Sequence, residues 1–416
     1  MSLAGASLWT AGSTLVKIGV GLLVVKLLAV SYGPGGVGLA GNFRQLVTVL
    51  GVLSGAGIFN GITKYVAQYQ QQPERLRGVL GTGSAMVLGA SLLLAAIFLL
   101  AAGPISRALF DSDRYRGVVY AVAFIQLGIA YANLMLAIIK GFRDAPGNAL
   151  AVGCGSVLGA GAYLLSYLIG GYQGAVAGLA LVPAVTLVPA AVILARRRFI
   201  RFSDLRPAWD RLLAVQLGKF TLMALMTSLT LPVAYIMMRN LLAQRYSWSE
   251  VGIWQGVSGI SDAYLQFITA SFTVYLLPTL SRLHDKRAIA REIGRSLLFV
   301  LPAVATVSVI LWLMRDLAIR LLLSSQFGAM RDLFAWQLIG DVMKVGAYVF
   351  GYLVIAKASL RFYLLTEVSQ FLLLTGFSHW LIPRYGALGA TQAYMATYAI
   401  YFLLCGGVFI MYCRKR

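Results

Sequence analysis

The amino-acid sequence predicts an all-α membrane protein with twelve transmembrane helices. Of its 416 residues, 59% are hydrophobic and only 12% are charged, whereas a soluble domain has roughly 25% charged residues. The apolar residues fall in blocks of about 20 or more, long enough for a helix to cross a hydrocarbon core of about 30 Å. These features exclude a disordered chain, a disulfide scaffold and a nucleic-acid-binding domain as descriptions of the whole chain.

Short connections rich in glycine, proline and charge separate the blocks, for example 32–36 and 383–386. The longest connection covers 196–210, and no segment outside the membrane is long enough to bury a core of its own. The predicted helices span 8–32, 38–67, 78–103, 116–139, 147–170, 174–195, 211–238, 250–281, 293–314, 332–356, 362–382 and 386–411.

The distribution of lysine and arginine sets the predicted orientation. With the N-terminus placed in the cytoplasm, 21 of the 35 basic residues fall on the cytoplasmic side, 9 on the opposite side and 5 within helices. Because basic residues concentrate in cytoplasmic loops, both termini are expected in the cytoplasm. This asymmetry accounts for most of the formal net charge of +21, so no nucleic acid or other acidic partner is needed to explain it.

The two halves of the chain resemble each other. Three pairs of stretches match in the same order at nearly the same offset along the chain: 32–39 with 246–253, 105–109 with 318–322, and 172–175 with 385–387. Since each half holds an even number of helices, the repeats would run in the same sense, related by a pseudo-two-fold axis along the membrane normal. We therefore expect two six-helix bundles, 1–200 and 201–416.

Five cations lie where hydrocarbon is expected, namely Lys17, Lys26, Arg44, Lys219 and Lys344. A charged side chain at the centre of a membrane helix costs roughly 2.5–3.5 kcal/mol on insertion scales. Lys26 lies near the outer end of its helix, where a long side chain can reach the membrane surface. The other four are candidate substrate-binding groups, unless they form structural ion pairs. Lys344 follows Asp341 by three residues and could pair with it.

Polar residues follow one face of predicted helix 8 over five turns: Gln255, Ser258, Asp262, Gln266, Thr269 and Thr273. Such a stripe would be costly against lipid, so we expect it to face protein or water. At the offset between the two halves, Arg44 and Thr48 of helix 2 correspond to Ser258 and Asp262. Both repeats would then direct polar groups into one central cavity. Polar packing between helices is the alternative interpretation.

The predicted interior holds more cations than acids. The candidate acids, which could bind a proton or Na⁺, are Asp262, Asp341 and Glu367. In order of predicted depth from the cytoplasm, the candidate cations are Lys219, then Lys17 and Lys344, then Arg44. A series of cations at different depths suits an anion that must be carried across the membrane.

The sequence contains no residue pattern typical of an enzyme. No metal-ligand spacing, nucleotide-binding loop or nucleophile motif is present, so we predict no catalytic residue, metal or cofactor. Cys154, Cys405 and Cys413 lie in apolar segments and are predicted to be small buried hydrophobic residues. A membrane glycosyltransferase or polymerase, the enzymatic alternative, would need acids or a large extramembrane platform. The chain has only 14 acidic residues.

Six stretches carry a family resemblance: 42–46, 64–69, 140–145, 231–239, 248–283 and 335–344. Together with the rest of the chain, end to end, they resemble the Wzx polysaccharide flippases of the multidrug/oligosaccharidyl-lipid/polysaccharide exporter superfamily. No departure from the family pattern occurs in these stretches.

The resemblance implies a transporter of the bacterial inner membrane with two six-helix bundles around a central cavity. Its substrate would be an undecaprenyl-pyrophosphate-linked oligosaccharide, moved from the cytoplasmic to the periplasmic leaflet by alternating access. The anionic pyrophosphate matches the predicted cations. The resemblance also implies a monomer surrounded by membrane lipids, with the polymerase and the chain-length regulator of the same pathway as partners.

Two other transport functions stay open. A flippase for a different undecaprenyl-linked glycan would have the same architecture. A drug/cation antiporter of the same superfamily would be expected to have a cavity dominated by acids, whereas here the buried cations outnumber them.

Overall fold

A computed structural model describes residues 3–283, 285–356 and 360–414. Across these residues the structure contains fourteen α-helices and no β-strand, which confirms the predicted all-α class for the described part of the chain. Lys357, Lys415 and Arg416, which enter the count of basic residues, lie outside the described residues, as does the side chain of Thr273.

The helices follow one another with few residues between them. The first seven are α1 (Leu3–Leu53), α2 (Phe59–Tyr69), α3 (Pro73–Leu100), α4 (Ala102–Phe110), α5 (Arg116–Gly141), α6 (Ala145–Ala184) and α7 (Leu187–Arg197). The other seven are α8 (Arg211–Arg245), α9 (Trp248–Ser271), α10 (Leu277–Arg282), α11 (Lys286–Leu313), α12 (Arg315–Leu322), α13 (Phe334–Ala356) and α14 (Leu360–Arg414). Asp113–Tyr115, Phe202–Leu205 and Ser325–Leu333 are 3₁₀-helical, and Phe272–Leu276 forms a π-helical turn.

Three of the helices are interrupted by a glycine with positive φ. These are Gly33 in α1, Gly171 in α6 and Gly386 in α14, with φ of 61°, 55° and 58°. Only glycine adopts this conformation without steric cost, so the helix axis changes direction there. Pro34 then restarts the helix after Gly33, a position where its missing N–H does no harm. The three glycines coincide with the predicted breaks between helices 1 and 2, 5 and 6, and 11 and 12.

The prediction of one continuous helix over 38–67 is wrong. The chain leaves the helical conformation between α1 and α2, where Ala56 and Gly57 have φ of 52° and 68°. A Cβ atom at Gly57 would lie 2.6 Å from Cβ of Ala224, so α8 leaves no room for a side chain there.

Polar side chains of α3 and α5 satisfy the backbone at this break. Asn133 Nδ2 donates to the carbonyl of Gly51 at 2.9 Å, and Ser91 Oγ donates to the carbonyl of Ser54 at 2.8 Å. Gln126 Nε2 donates in turn to the carbonyl of Ser91 at 2.7 Å. A freed carbonyl in a membrane core must find a donor within the protein, which explains the polar residues of α5.

Helix 8, predicted over 250–281, is also interrupted, by the π-helical turn Phe272–Leu276 between α9 and α10. The predicted helix over 174–195 divides likewise at 185–186, between α6 and α7. Such interruptions leave no mark in the hydrophobic pattern, because all three segments stay apolar on both sides of the break.

Among the described residues, eight helical segments are long and apolar enough to cross a membrane. Three of them, Leu8–Leu53, Ala145–Arg197 and Leu364–Cys413, contain 46, 53 and 50 residues. One crossing needs about 20 residues, so each of these three is long enough to cross twice. The structure is that of a multi-pass membrane protein.

The chain divides into two compact units. The first unit comprises Met1–Val24 and Asn42–Pro232, and the second comprises Val25–Gly41 and Val233–Arg416. Helices α1 and α8 thus contribute to both units. The predicted division of the two bundles at residues 200 and 201 stays a prediction.

Each unit has its own hydrophobic core. In the first unit the core is aliphatic and includes Ile62, Leu80 and Ile138. It also buries Leu205, which anchors the connection between α7 and α8. In the second unit the core contains several tyrosines of α14, among them Tyr394 and Tyr398. Buried tyrosines bring hydroxyl groups into the membrane core, and these groups form part of the site described next.

Candidate functional site

In the first unit, three of the predicted cations are exposed on helices of the membrane-spanning part. These are Lys17 and Arg44 of α1 and Lys219 of α8. Thr48, one turn after Arg44, is also exposed, and its hydroxyl donates to the Arg44 carbonyl at 3.1 Å. An exposed charge within a membrane helix must face water or a charged ligand rather than lipid. The exposed side chains are therefore available to contact a polar solute.

A further cation belongs with this set. The ammonium group of Lys140, at the end of α5, lies within electrostatic range of Lys17. The sequence analysis did not include Lys140 among the candidate cations, because α5 and α1 are far apart in the chain. Two cations near each other repel, and an anion that binds between them offsets this repulsion.

In the second unit, Lys344 of α13 has a different environment. It is buried, and its Nζ atom lies 5.2 Å from the ring centroid of Tyr398, 5.3 Å from that of Tyr394 and 5.9 Å from that of Tyr348. Ring faces attract a cation electrostatically. The sequence analysis missed these tyrosines, because α13 and α14 had no predicted register relative to each other.

Asp341 lies one turn before Lys344 and is fully buried. Its two carboxylate oxygens accept hydrogen bonds from the hydroxyls of Tyr264 and Tyr394, both at 2.7 Å. Nε2 of Gln337 lies 3.5 Å from Oδ1. Asp341 and Lys344 attract each other electrostatically, but the ion pairs between described residues do not include a direct contact of these two groups. The tyrosine hydroxyls satisfy the carboxylate instead.

The polar stripe of α9 does not share one environment. Gln255 is buried, whereas Asp262 and Gln266 are exposed. The hydroxyls of Ser258 and Thr269 donate to backbone carbonyls of their own helix at 2.9 and 3.0 Å. Asp262 interacts electrostatically with Lys344, so the exposed part of the stripe lies beside the Lys344 cluster.

Gln255 is buried because it binds Arg239. Nε of Arg239 donates to Oε1 of Gln255 at 2.8 Å, and the guanidinium lies over Trp254 at 5.4 Å and over Tyr235 at 5.9 Å. Arg239 follows directly after the predicted end of its helix at residue 238, but α8 continues to Arg245, and Arg239 is buried within it. Its place one turn after Tyr235 was the available signal.

Two other charged residues of the sequence analysis also lie in the second unit. Lys26 Nζ donates to the carbonyls of Arg320 and Leu321 at the end of α12, a favourable place for a cation because helix C-termini carry partial negative charge. Glu367 of α14 is half-buried. Among the described residues, no group of three or more histidines, cysteines or acids could hold a metal ion.

Comparison with known proteins identifies sequence relatives along the whole chain. A family model described as "Polysaccharide biosynthesis protein" matches residues 60–332. The protein named Lipid III flippase of Escherichia coli strain K12 is 69% identical over 415 residues, covering 100% of both chains. The Lipid III flippase of Shigella flexneri matches with the same identity and coverage.

Solved structures share the fold at low sequence identity. A multidrug-resistance MATE-family transporter of the MOP superfamily, in an inward-facing conformation, superposes with a TM-score of 0.81 at 14% identity, over 96% of this chain and 94% of that one. A MOP-superfamily transporter from Pyrococcus furiosus gives a TM-score of 0.72 at 14% identity, over 100% and 96%.

The full-length sequence relatives and the multi-pass helical structure define a membrane transporter and not an enzyme. Within that class, the chain belongs to the Wzx family of polysaccharide flippases, as the sequence resemblance implied.

Proposed function

We propose that the protein is a flippase for lipid III in enterobacterial common antigen synthesis. It would move this undecaprenyl-pyrophosphate-linked trisaccharide from the cytoplasmic to the periplasmic leaflet of the bacterial inner membrane. The observation that carries the proposal is the 69% identity, over full length, to relatives named Lipid III flippase. The exposed cations of the first unit agree with it, because the pyrophosphate and a uronic acid in the trisaccharide are both anions.

The proposed architecture has twelve membrane crossings, with both termini in the cytoplasm and bundles at 1–200 and 201–416. Support comes from the three long apolar segments, each divided by a glycine of positive φ. If these three segments cross twice, the other five of the eight apolar segments cross once each. The segment formed by α9 and α10 then brings the number of crossings to twelve.

A pseudo-two-fold relation between the bundles is supported by a reciprocal glycine contact. A Cβ atom at Gly38 would collide with the carbonyl of Trp248, and one at Gly252 would collide with the carbonyl of Pro34. Because Trp248 and Gly252 are the repeat equivalents of Pro34 and Gly38, each repeat makes the same contact with the other, as across a two-fold axis. Gly171 and Gly386 also share their backbone angles, with ψ of −134° and −133°.

The proposed substrate site is a central cavity between the bundles. We assign the anionic headgroup to Lys17, Arg44 and Lys219, with Arg44 toward the periplasm and Lys219 toward the cytoplasm, and we assign Lys344 to the same path. The proposed polar lining is Thr48, Gln255, Asp262, Gln266, Asp341 and Glu367, of which Asp262, Asp341 and Glu367 could bind a coupling proton or Na⁺.

The proposed mechanism follows from the chemistry of the substrate. A pyrophosphate headgroup cannot enter hydrocarbon without compensation for its charge, whereas its polyprenyl chain is already soluble in lipid. The protein then needs to enclose only the headgroup while the chain stays in the bilayer. Two parallel repeats can do this by rocking about a central site, so that the cavity opens to each side in turn. We propose that it acts as a monomer, with the polymerase and the chain-length regulator of the pathway as partners.

The test is transport of lipid III into proteoliposomes by the purified protein. Arg44→Glu is expected to abolish transport because a carboxylate repels the pyrophosphate, and Arg44→Lys is expected to reduce it because only guanidinium forms a bidentate pair with phosphate. Arg206→Glu, on the exposed connection between α7 and α8, changes the net charge equally and should transport normally. Uptake of another lipid-linked glycan or of cationic drugs, but not of lipid III, would contradict the proposal.

A further inference from the structure

An apolar groove runs along the first unit between α1 and α6. Its volume is about 760 Å³, and it is lined by five residues of α1 and six of α6, almost all of them apolar. Both helices belong to segments long and apolar enough to cross a membrane, so the groove lies at the depth of the hydrocarbon core. Cys154 lines the groove and is exposed. The prediction that this cysteine is buried is therefore wrong.

Small residues make the groove concave. Gly12 and Ser13 on α1 face Gly153 and Cys154 on α6, while larger side chains such as Trp9 and Leu158 form its walls. A Cβ atom at Gly12 or Gly153 would meet no atom within 4 Å, so these glycines are not needed for helix packing. The groove extends about 12 Å along α1, from Leu8 to Val16, at 1.5 Å per residue. It therefore has the shape of a slot that could hold an extended chain.

A cation lies at one end of this slot. Lys17 follows Val16 directly and lies one turn beyond Ser13, and its side chain is exposed. Lys140 adds a second positive charge within electrostatic range. A molecule with an anionic group at Lys17 and an apolar chain attached to it would therefore match both parts of the surface.

We infer that the groove holds the polyprenyl chain of the substrate while its pyrophosphate contacts Lys17. The inference rests on the proposed function and adds a place for the chain on the protein. Lys17 lies nine residues after Leu8, about 14 Å along the helix axis, near the middle of a hydrocarbon core of about 30 Å. The phosphates of resident phospholipids stay at the membrane surface, so only a headgroup in transit reaches this depth together with its chain.

Selection of the polyprenyl chain over phospholipid tails must come from Lys17, because the apolar lining of the groove does not distinguish between them. Lipid tails are as apolar as the groove lining, so they compete for it without a hydrophobic preference. Attachment of the pyrophosphate to Lys17 raises the local concentration of the first isoprene units beside Val16. Occupancy by the polyprenyl chain should therefore depend on Lys17, whereas occupancy by phospholipid tails should not.

The test is photo-crosslinking in proteoliposomes with a polyprenyl diphosphate that carries a diazirine on an isoprene unit near the phosphates and has no sugar. We expect crosslinks to peptides covering 8–16 and 149–158, removed by unlabelled undecaprenyl pyrophosphate but not by the same amount of phosphatidylglycerol. Gly153→Leu should fill the groove and lower this labelling about tenfold, a change of about 1.4 kcal/mol. The matched control Gly161→Leu lies on α6 outside the groove, where a Cβ atom also meets nothing within 4 Å, and should label normally.

Lys17→Gln provides a second measurement that leaves the groove open. It should abolish the preference for undecaprenyl pyrophosphate over phosphatidylglycerol as competitor. Equal competition by the two lipids in the unsubstituted protein, or labelling unchanged by Gly153→Leu, would overturn the inference. The probe has no glycan, so failure to transport lipid III would count against the proposed function and would leave the labelling result interpretable.

Discussion

We assign both Lys17 and Lys344 to the substrate path, but their surroundings in the structure differ. Lys17 is exposed, whereas Lys344 is buried among three tyrosine rings close to Asp341. A charge reversal should therefore act on transport alone at Lys17, whereas at Lys344 it should also act on folding.

For Lys17→Glu we expect lost transport with unchanged thermal stability, since the side chain remains exposed. For Lys344→Glu we expect a loss of about 3 kcal/mol, as for other broken buried charge arrangements, because a second carboxylate would lie beside buried Asp341. Thermal unfolding in detergent and transport, measured on the same preparations, separate the two effects. Normal stability of Lys344→Glu would show that the cluster tolerates a like charge and would contradict the assignment.

The bond between Arg239 and Gln255 gives a second prediction about single residues. Gln255→Leu leaves Nε of Arg239 without its acceptor and should destabilise the protein by about 1–3 kcal/mol. The double variant Arg239→Leu with Gln255→Leu should recover part of this loss, because replacing both partners removes the unsatisfied group. Thermal unfolding of the two single variants and the double variant measures the coupling, and strict additivity would mean that the bond contributes nothing.

At the scale of helices, hydrophobic blocks predicted the long apolar helical segments but not where the helices break. The turns at Gly33, Gly171 and Gly386 were predictable, because glycine and proline mark them in the sequence. The break at Ala56 and Gly57 was not, since its cause is the close approach of Ala224 from α8. The hydrogen bonds of Gln126 and Asn133 were not predictable for the same reason: their acceptors belong to helices distant in the chain.

The residues of the candidate site also fall into two groups: those whose environment could be predicted from the sequence and those whose environment depends on helix packing. The exposure of Lys17, Arg44 and Lys219 agrees with an expectation based on the cost of burying charge. The tyrosines around Lys344, and the burial of Gln255 by Arg239, depend on how one helix is rotated against another. Helical periodicity fixes which residues share a face of one helix, but it does not fix which neighbour that face meets.

The contact between Gly38 and Gly252 should tolerate no side chain. A Cβ atom at Gly38 would lie 2.7 Å from the backbone nitrogen of Gly252, and backbone atoms cannot move aside as a flexible side chain can. Gly38→Leu should cost about 1–3 kcal/mol of stability, as overpacking of a core does. The control is Gly259→Leu on α9, where a Cβ atom would meet nothing within 4 Å. Equal melting temperatures for the two variants would mean that the glycine contact is dispensable.

For the whole molecule, the proposed orientation has a direct chemical test. Single cysteines at Arg201 and Arg287 should be protected from impermeant thiol reagents in intact cells, and those at Arg114 and Gln326 should be labelled. All four positions are exposed in the structure, so protection would reflect the membrane and not burial. The background lacks Cys154, Cys405 and Cys413. Labelling at Arg201 from outside the cell would overturn the twelve-crossing arrangement or its orientation.

The proposed rocking mechanism requires two helix ends to separate when the cavity opens outward: the end of the first part of α1, at Gly33, and the start of α9. At Gly35 a Cβ atom would lie 3.4 Å from Oγ of Ser249, so side chains at the two positions would be in contact, as a disulfide requires. The pair Gly35→Cys and Ser249→Cys, in the same cysteine-free background, should therefore crosslink on mild oxidation. Since Ser249 is the repeat equivalent of Gly35, the bond would join corresponding points of the two repeats and hold the outer side closed.

Transport of lipid III should stop on oxidation and return on reduction, while either single cysteine variant should transport under both conditions. Complete crosslinking with unchanged transport would mean that these helix ends stay together throughout the cycle, and the headgroup would then have to leave by another route.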